Sequence, residues 1–245
     1  MRRAWLVLFA AAGVLYVLAR RAYWVGFFND DAFYLIGARS LLAGRFAELN
    51  HPLAPPLIQY LPGYPLLLAP VLALFRGSWL ACRLESALFM LGSAGAAAWA
   101  LGEELDEPGR LLLAALCLLN PLALSLSGAI LSDAPFTLAA LLVVGTAKRR
   151  WGRRDAGTWL LLGAAAGASF YLRAVGLALP LALGLVLLPE RRWKEAALAL
   201  GAAAAVVAPW LVRNHLARGQ ALLYAGELGG PFEASPWREA AGALR

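Results

Sequence analysis

The sequence predicts an all-α membrane protein of about seven transmembrane helices, on three observations. Of its 245 residues 61% are hydrophobic and only 15% charged, whereas a soluble domain needs roughly a quarter of its residues charged to cover its surface. The apolar residues come in long blocks, such as 111–126 and 196–212, which lipid can solvate and water cannot. The basic residues cluster in short runs between those blocks, notably Lys148-Arg149-Arg150 with Arg153-Arg154, and Arg191-Arg192 with Lys194. Cytoplasmic loops of membrane proteins have this pattern. The net charge of +7 therefore reports topology. A nucleic-acid partner would require a basic stripe on a folded domain, and none is expected.

The first apolar segment, 4–19, follows Arg2-Arg3. Its end, Leu18-Ala19-Arg20-Arg21, is a poor small-residue cleavage site, so it reads as a retained helix and not as a signal peptide. The other predicted spans are 80–101, 110–126, 134–147, 157–172, 174–188 and 195–212. Several hold only about 15 residues, about 22 Å of helix against a hydrocarbon core of about 30 Å. Such short spans suit places where a helix end lies in protein or against a water-filled cavity. Three of them border 125–135 and 171–175, so a cavity is expected at that shared end. With the N-terminus cytoplasmic, seven crossings put 102–109, 148–156 and 189–194 inside. The same topology puts 22–79 and 213–245 outside, together with Arg20 and Arg21, which run against the charge rule. The expected organisation is a transmembrane module over 1–212, including the external loop 22–79, then an external tail over 213–245.

Within that loop, 30–46 reads as a helix carrying Phe33, Leu35, Ile36, Leu41 and Leu42, and 66–75 is apolar but too short to span. Both are expected to be interfacial helices on the membrane surface. Between them, Asn50-His51-Pro52-Leu53-Ala54-Pro55-Pro56 holds too many prolines for a helix. Cys82 and Cys117 sit in apolar runs with no metal-ligand spacing and read as packing residues.

The ionisable residues of chemical interest gather on the outer side: Asp30, Asp31, Asp133 and Arg173. Each also has a structural reading. Asp30 and Asp31 open a helix, where free N–H groups favour carboxylates. Asp133 precedes Ala134-Pro135 at another helix start, and Arg173 reads as a snorkelling helix-end residue. Together, a carboxylate and a cation at one interfacial pocket suit a reaction that deprotonates an acceptor while stabilising a phosphate leaving group. His51 and His215 are both external, but nothing in their spacing recommends a divalent cation with Asp30 or Asp31. No metal or other cofactor is expected.

Six motifs in order carry a family likeness. Asn29-Asp30-Asp31-Ala32-Phe33-Tyr34 is continued by Ala38-Arg39-Ser40-Leu41-Leu42-Ala43-Gly44. Tyr60-Leu61-Pro62-Gly63-Tyr64-Pro65 follows, then Leu131-Ser132-Asp133-Ala134-Pro135, Tyr171-Leu172-Arg173-Ala174-Val175-Gly176-Leu177 and Ala208-Pro209-Trp210-Leu211-Val212-Arg213-Asn214. In this order the chain resembles the bacterial membrane glycosyltransferases of the GT-C fold, close to the dolichyl-phosphate-mannose protein mannosyltransferases and the lipid A aminoarabinose transferases. The resemblance implies inverting transfer of one hexosyl or pentosyl unit from a polyprenyl-phosphate carrier to a lipid, glycan or protein acceptor outside a bacterial plasma membrane. It makes Asp30 the carboxylate that activates the acceptor hydroxyl. Asp31, the second expected catalytic residue, stands where the family more often has Glu. Arg173, where some relatives carry Lys, would meet the carrier phosphate. Asp133, Tyr64 and His51 complete the expected substrate-binding set.

Two other functions compete. A transporter or flippase would place its ionisable residues near the midplane, between matching halves. A non-catalytic, carrier-binding scaffold is the alternative suggested by length. Family members usually continue with further spans and an external domain, whereas this sequence stops at Arg245, as a fragment or a short form.

Overall fold

Every apolar segment read from the sequence falls on a helix in the computed structural model, which describes residues 1–19 and 24–218. The helices are α1 (Arg2–Ala19), α2 (Asp30–Leu42), α3 (Gly63–Leu74), α4 (Trp79–Ala100), α5 (Glu107–Leu118), α6 (Pro121–Ser127), α7 (Asp133–Arg149), α8 (Ala156–Ser169), α9 (Ala178–Leu187) and α10 (Trp193–Arg218). A 3-10 turn, Ala174–Leu177, leads into α9. Among the described residues there is no strand, only an isolated bridge between Ala47 and Pro56.

Three boundaries depart from the sequence reading. The segment 110–126 is not one helix, because α5 and α6 meet at a 58° bend. Asn120 is extended there and its side chain accepts from the Leu122 N–H, while Pro121 takes the first helical position. Asn-Pro is a turn-initiating dipeptide, and it overrides the apolar run. Helix α2 ends at Leu42 instead of residue 46, with Gly44 at a φ of 73° just beyond it, as helix ends commonly require. Helix α10 runs to Arg218, past the expected boundary at 212. The rest of the predicted tail, 219–245, lies outside the described residues, as do Arg20 and Arg21.

Residues 1–207 form one compact unit, and in 208–245 the described residues are the last turns of α10. Within the first unit α4 packs most extensively on α7. The two run in the same direction: Gly92 faces Leu138, and further along Gly145 faces Trp99 and Ala100. Helix α1 runs against α4, with Gly13 facing Leu91 and Gly95 facing Phe9. It runs alongside α5, tied by Trp5 Nε1 to Glu107 (3.3 Å) near one end and by the Tyr16 hydroxyl to the Leu118 carbonyl (3.0 Å) near the other. Helices α8 and α10 touch backbone to backbone, since a Cβ on Gly163 would collide with the Ala199 carbonyl. Small residues permit such close approach. The helix ends of this unit therefore sort into two groups. One holds the turns at 101–106, 150–155 and 188–192, and the other holds 24–29, 128–132 and 170–173.

The first group is tied together by charge. Lys148 reaches the Ala100 carbonyl and Glu104, and Arg149 reaches the Trp99 carbonyl and Glu103 while lying over the Trp99 ring. Arg192, read from the sequence as one of a basic run between apolar blocks, is only 2% exposed. Its guanidinium donates to the carbonyls of Trp151 and Arg153 and to Glu195, and lies against the rings of both Trp151 and Trp159. Five donors in a rigid fork can bond three acceptors at once, and that offsets the cost of burying the charge.

By length and composition, α10 (Trp193–Ala217) is long and apolar enough to cross a membrane, and the bent pair α5–α6 qualifies when taken together. Helices α3 and α8 and the stretch 174–187 are shorter apolar helices.

Candidate functional site

The external-loop helices α2 and α3 are packed into the second group of helix ends. Tyr34, Leu35 and Ala38 of α2 form a core with Tyr64, Leu68, Ala69 and Leu72 of α3, Cys82 of α4 and Ile130 before α7. Leu131 and Leu172 pack against that core. The Pro-Gly-Tyr-Pro segment makes this possible. The Gly63 N–H donates to the Tyr171 carbonyl at 2.9 Å, and a Cβ on Gly63 would collide with that same carbonyl. Only glycine lets the start of α3 lie against the 171–173 segment. Two motifs more than a hundred residues apart thus meet at one backbone contact.

Asp30 opens α2 from a strained turn. The Asp30 N–H donates to the Phe28 carbonyl at 2.7 Å, around an Asn29 with φ 62° and ψ −54°. This is a γ-turn of the rare positive-φ form, a conformation that persists only where the surroundings enforce it. Asn29 occupies the cap position without a side-chain cap bond. Asp30 and Asp31 are the first helical residues, where their charge suits the helix dipole. From there they diverge. Asp30 is partly exposed, and its Oδ1 accepts from the Tyr60 hydroxyl at 3.0 Å. Asp31 is fully buried, with Oδ2 accepting from the Gly26 N–H (3.0 Å) and Oδ1 from the Ala32 N–H (2.9 Å).

Asp133 and Arg173 form a direct ion pair at 2.5 Å, each side chain about one-third exposed. One begins α7 and the other follows α8. Tyr34 links this pair to Asp30. Its hydroxyl bonds the Ser132 hydroxyl at 2.9 Å, beside Asp133, and it feels the charges of Asp30, Arg173 and Asp133 together. Burial pushes the Tyr34 hydroxyl above its ordinary value, against the opposing effect of the Ser132 bond. It therefore keeps its proton at neutral pH and works as a hydrogen-bonding group, not as a base. Tyr64 lies beneath, fully buried, its hydroxyl on Ser86 (3.1 Å) and its ring edge-on to Tyr34.

His51 stands apart. It is exposed, and its Nδ1 accepts from the Leu53 N–H at 3.1 Å within its own turn. Among the described residues no three His, Cys, Asp or Glu side chains are grouped to hold a metal ion. His215 is likewise exposed, on α10. Asp133 and Arg173 are thus paired, Asp30 shares Tyr34 with them as a neighbour, Tyr64 and Asp31 are buried, and His51 is exposed in its own turn. Sequence reasoning did not single out Tyr60, Tyr34 or Ser132. Tyr34 was within reach of it, four residues after Asp30 on the same helix face. Tyr60 opens one of the quoted motifs, but its contact with Asp30 carried no signal, because only the fold brings the loop back across α2.

A family model described as dolichyl-phosphate-mannose-protein mannosyltransferase matches residues 50–212, more than half of the chain. The matched span holds His51, Tyr64, Asp133 and Arg173 and begins after Asp30 and Asp31. No curated protein and no solved structure matches. With its helical fold and the match over α3 to α10, the chain belongs to the dolichyl-phosphate-mannose-protein mannosyltransferase family of membrane-integral glycosyltransferases.

Proposed function

We propose that the chain transfers one sugar from a polyprenyl-phosphate donor to an acceptor hydroxyl, at the helix ends that carry Asp30, Asp133 and Arg173. The observation that carries this reading is the placement of a partly exposed carboxylate and a partly exposed guanidinium around one tyrosine. Asp30 takes the proton of the acceptor hydroxyl as its oxygen attacks the anomeric carbon. The bond from that carbon to the phosphate oxygen breaks on the opposite face, and the electron pair leaves with polyprenyl phosphate. Arg173 receives the developing charge, exchanging its Asp133 contact for the phosphate, a charge-assisted bond of the strong kind. Asp31 holds the turn that presents Asp30, and Tyr64 fixes Tyr34 from below. No metal is assigned a step.

In this reading the helices make seven crossings. Both groups of helix ends then lie at membrane surfaces, the basic one in the cytoplasm and the Asp30 site outside a bacterial plasma membrane. The two-ended sorting of the helices and the basic residues at one end support it. Protein packed around the shorter helices makes their length tolerable.

Arg173→Ala tests the assigned phosphate contact. A hydrogen bond to a charged group is worth about 1.5–3 kcal/mol, so the donor KM is expected to rise about 10- to 100-fold. The check is saturation kinetics with labelled donor in lipid nanodiscs. An unchanged KM would remove Arg173 from the donor site.

A further inference from the structure

Asp30 does not stand alone at the mouth of the site. The Tyr60 hydroxyl donates to its Oδ1 at 3.0 Å, and among the described residues Oδ2 has no protein donor. Tyr60 is held from three sides. Its ring stacks on Phe33 with centroids 4.6 Å apart and an 11° tilt, and it meets Tyr34 edge-on at 5.6 Å. The Asn29 amide approaches its oxygen at 3.5 Å. That amide has only donors to offer a phenol oxygen, so it directs the phenol's own proton toward Asp30. The turn at Asn29, held at φ 62° by its surroundings, places this amide beside the phenol.

We propose that Tyr60 is the positioning residue of the reaction: by binding Oδ1 it fixes the plane of the Asp30 carboxylate and leaves Oδ2 facing the acceptor hydroxyl. This rests on the transferase reading and names the group that orients its base. A carboxylate free to rotate about its terminal bond, whose torsion is broad and soft, samples many directions. Anchoring one oxygen restricts the other to a narrow arc, and orientation of this kind contributes strongly to rate. Tyr60 itself touches no reacting atom. Its effect passes through Asp30.

Tyr60→Phe keeps both ring contacts and removes only the hydroxyl. The expected result is a kcat about 10- to 100-fold lower with the donor KM unchanged. Asn29→Gly keeps a backbone that tolerates positive φ and removes only the amide, so a smaller fall of the same kind is expected. The deciding comparison is a double-mutant cycle. If Tyr60 acts through Asp30, adding Tyr60→Phe to Asp30→Asn lowers the residual rate no further. Multiplicative losses would mean that Tyr60 merely supports the fold, and would overturn the proposal. Infrared difference spectra supply a readout that needs no turnover. The carboxylate band removed by Asp30→Asn is expected to shift in Tyr60→Phe, and an unmoved band overturns the proposal. A wild-type protein that consumes no donor would instead sink the transferase reading.

Discussion

Replacing Asp30 with asparagine is expected to lower transfer by about 100- to 10,000-fold, the range a positioned general base contributes. The change is isosteric. The side-chain oxygen of asparagine still accepts from Tyr60, and the loss of one exposed charge at the start of α2 is small in stability terms. Melting of the purified protein in detergent should therefore stay close to wild type while the rate collapses. Asp31 cannot take over, because both its oxygens are occupied by backbone N–H groups and its side chain is fully buried. The rate to follow is release of polyprenyl phosphate at saturating donor. An unchanged rate would place the base elsewhere.

The second large effect is on stability, at the opposite end of the bundle. Arg192→Ala is expected to destabilise the protein by more than about 1.5–3 kcal/mol, the worth of one hydrogen bond to a charged group, because several are lost together. The substitution leaves the carbonyls of Trp151 and Arg153 without their buried donor and Glu195 with Arg154 as its remaining partner, and opens a gap between two indole rings. The two carbonyls lie in the turn after α7 and Glu195 in the first turn of α10, so the loss is felt as a loosening of the 150–155 turn from the start of α10. Arg192→Lys should recover only part of it, since an ammonium cannot form the planar fork or lie flat on both rings. Thermal unfolding in detergent reads both variants. A melting temperature for Arg192→Ala equal to wild type would mean that the buried guanidinium does not hold the turns together.

These two residues also show where the sequence was legible and where it was not. Asp30 stood out as a candidate because it lies in an unusual place, directly after an apolar segment and ahead of a loop longer than a connection needs. Asp133 and Arg173 stood out as candidate charges at helix ends, but their pairing did not, because 40 residues separate them and the fold alone closes that distance. The burial of Arg192 was not legible, for a physical reason. A basic run between apolar blocks has one composition whether its members are solvated or buried, and only the carbonyls of a neighbouring turn decide between the two. The seven apolar segments were legible as helices because length and composition suffice for that. The break at Asn120-Pro121 was written in the dipeptide, but the surrounding leucines hid it from a reading by composition. Gly63 was quoted as part of a motif, but its purpose emerged only when the Tyr171 carbonyl was found where a Cβ would stand.

The most direct measurement of the central claim is consumption of lipid-linked sugar by the purified chain. The protein would be placed in lipid nanodiscs with a panel of labelled polyprenyl-phosphate sugars, and free polyprenyl phosphate followed over time. The account predicts release from at least one donor and its loss in Asp30→Asn. Release that continues undiminished without Asp30, or no release from any donor on the panel, would contradict it.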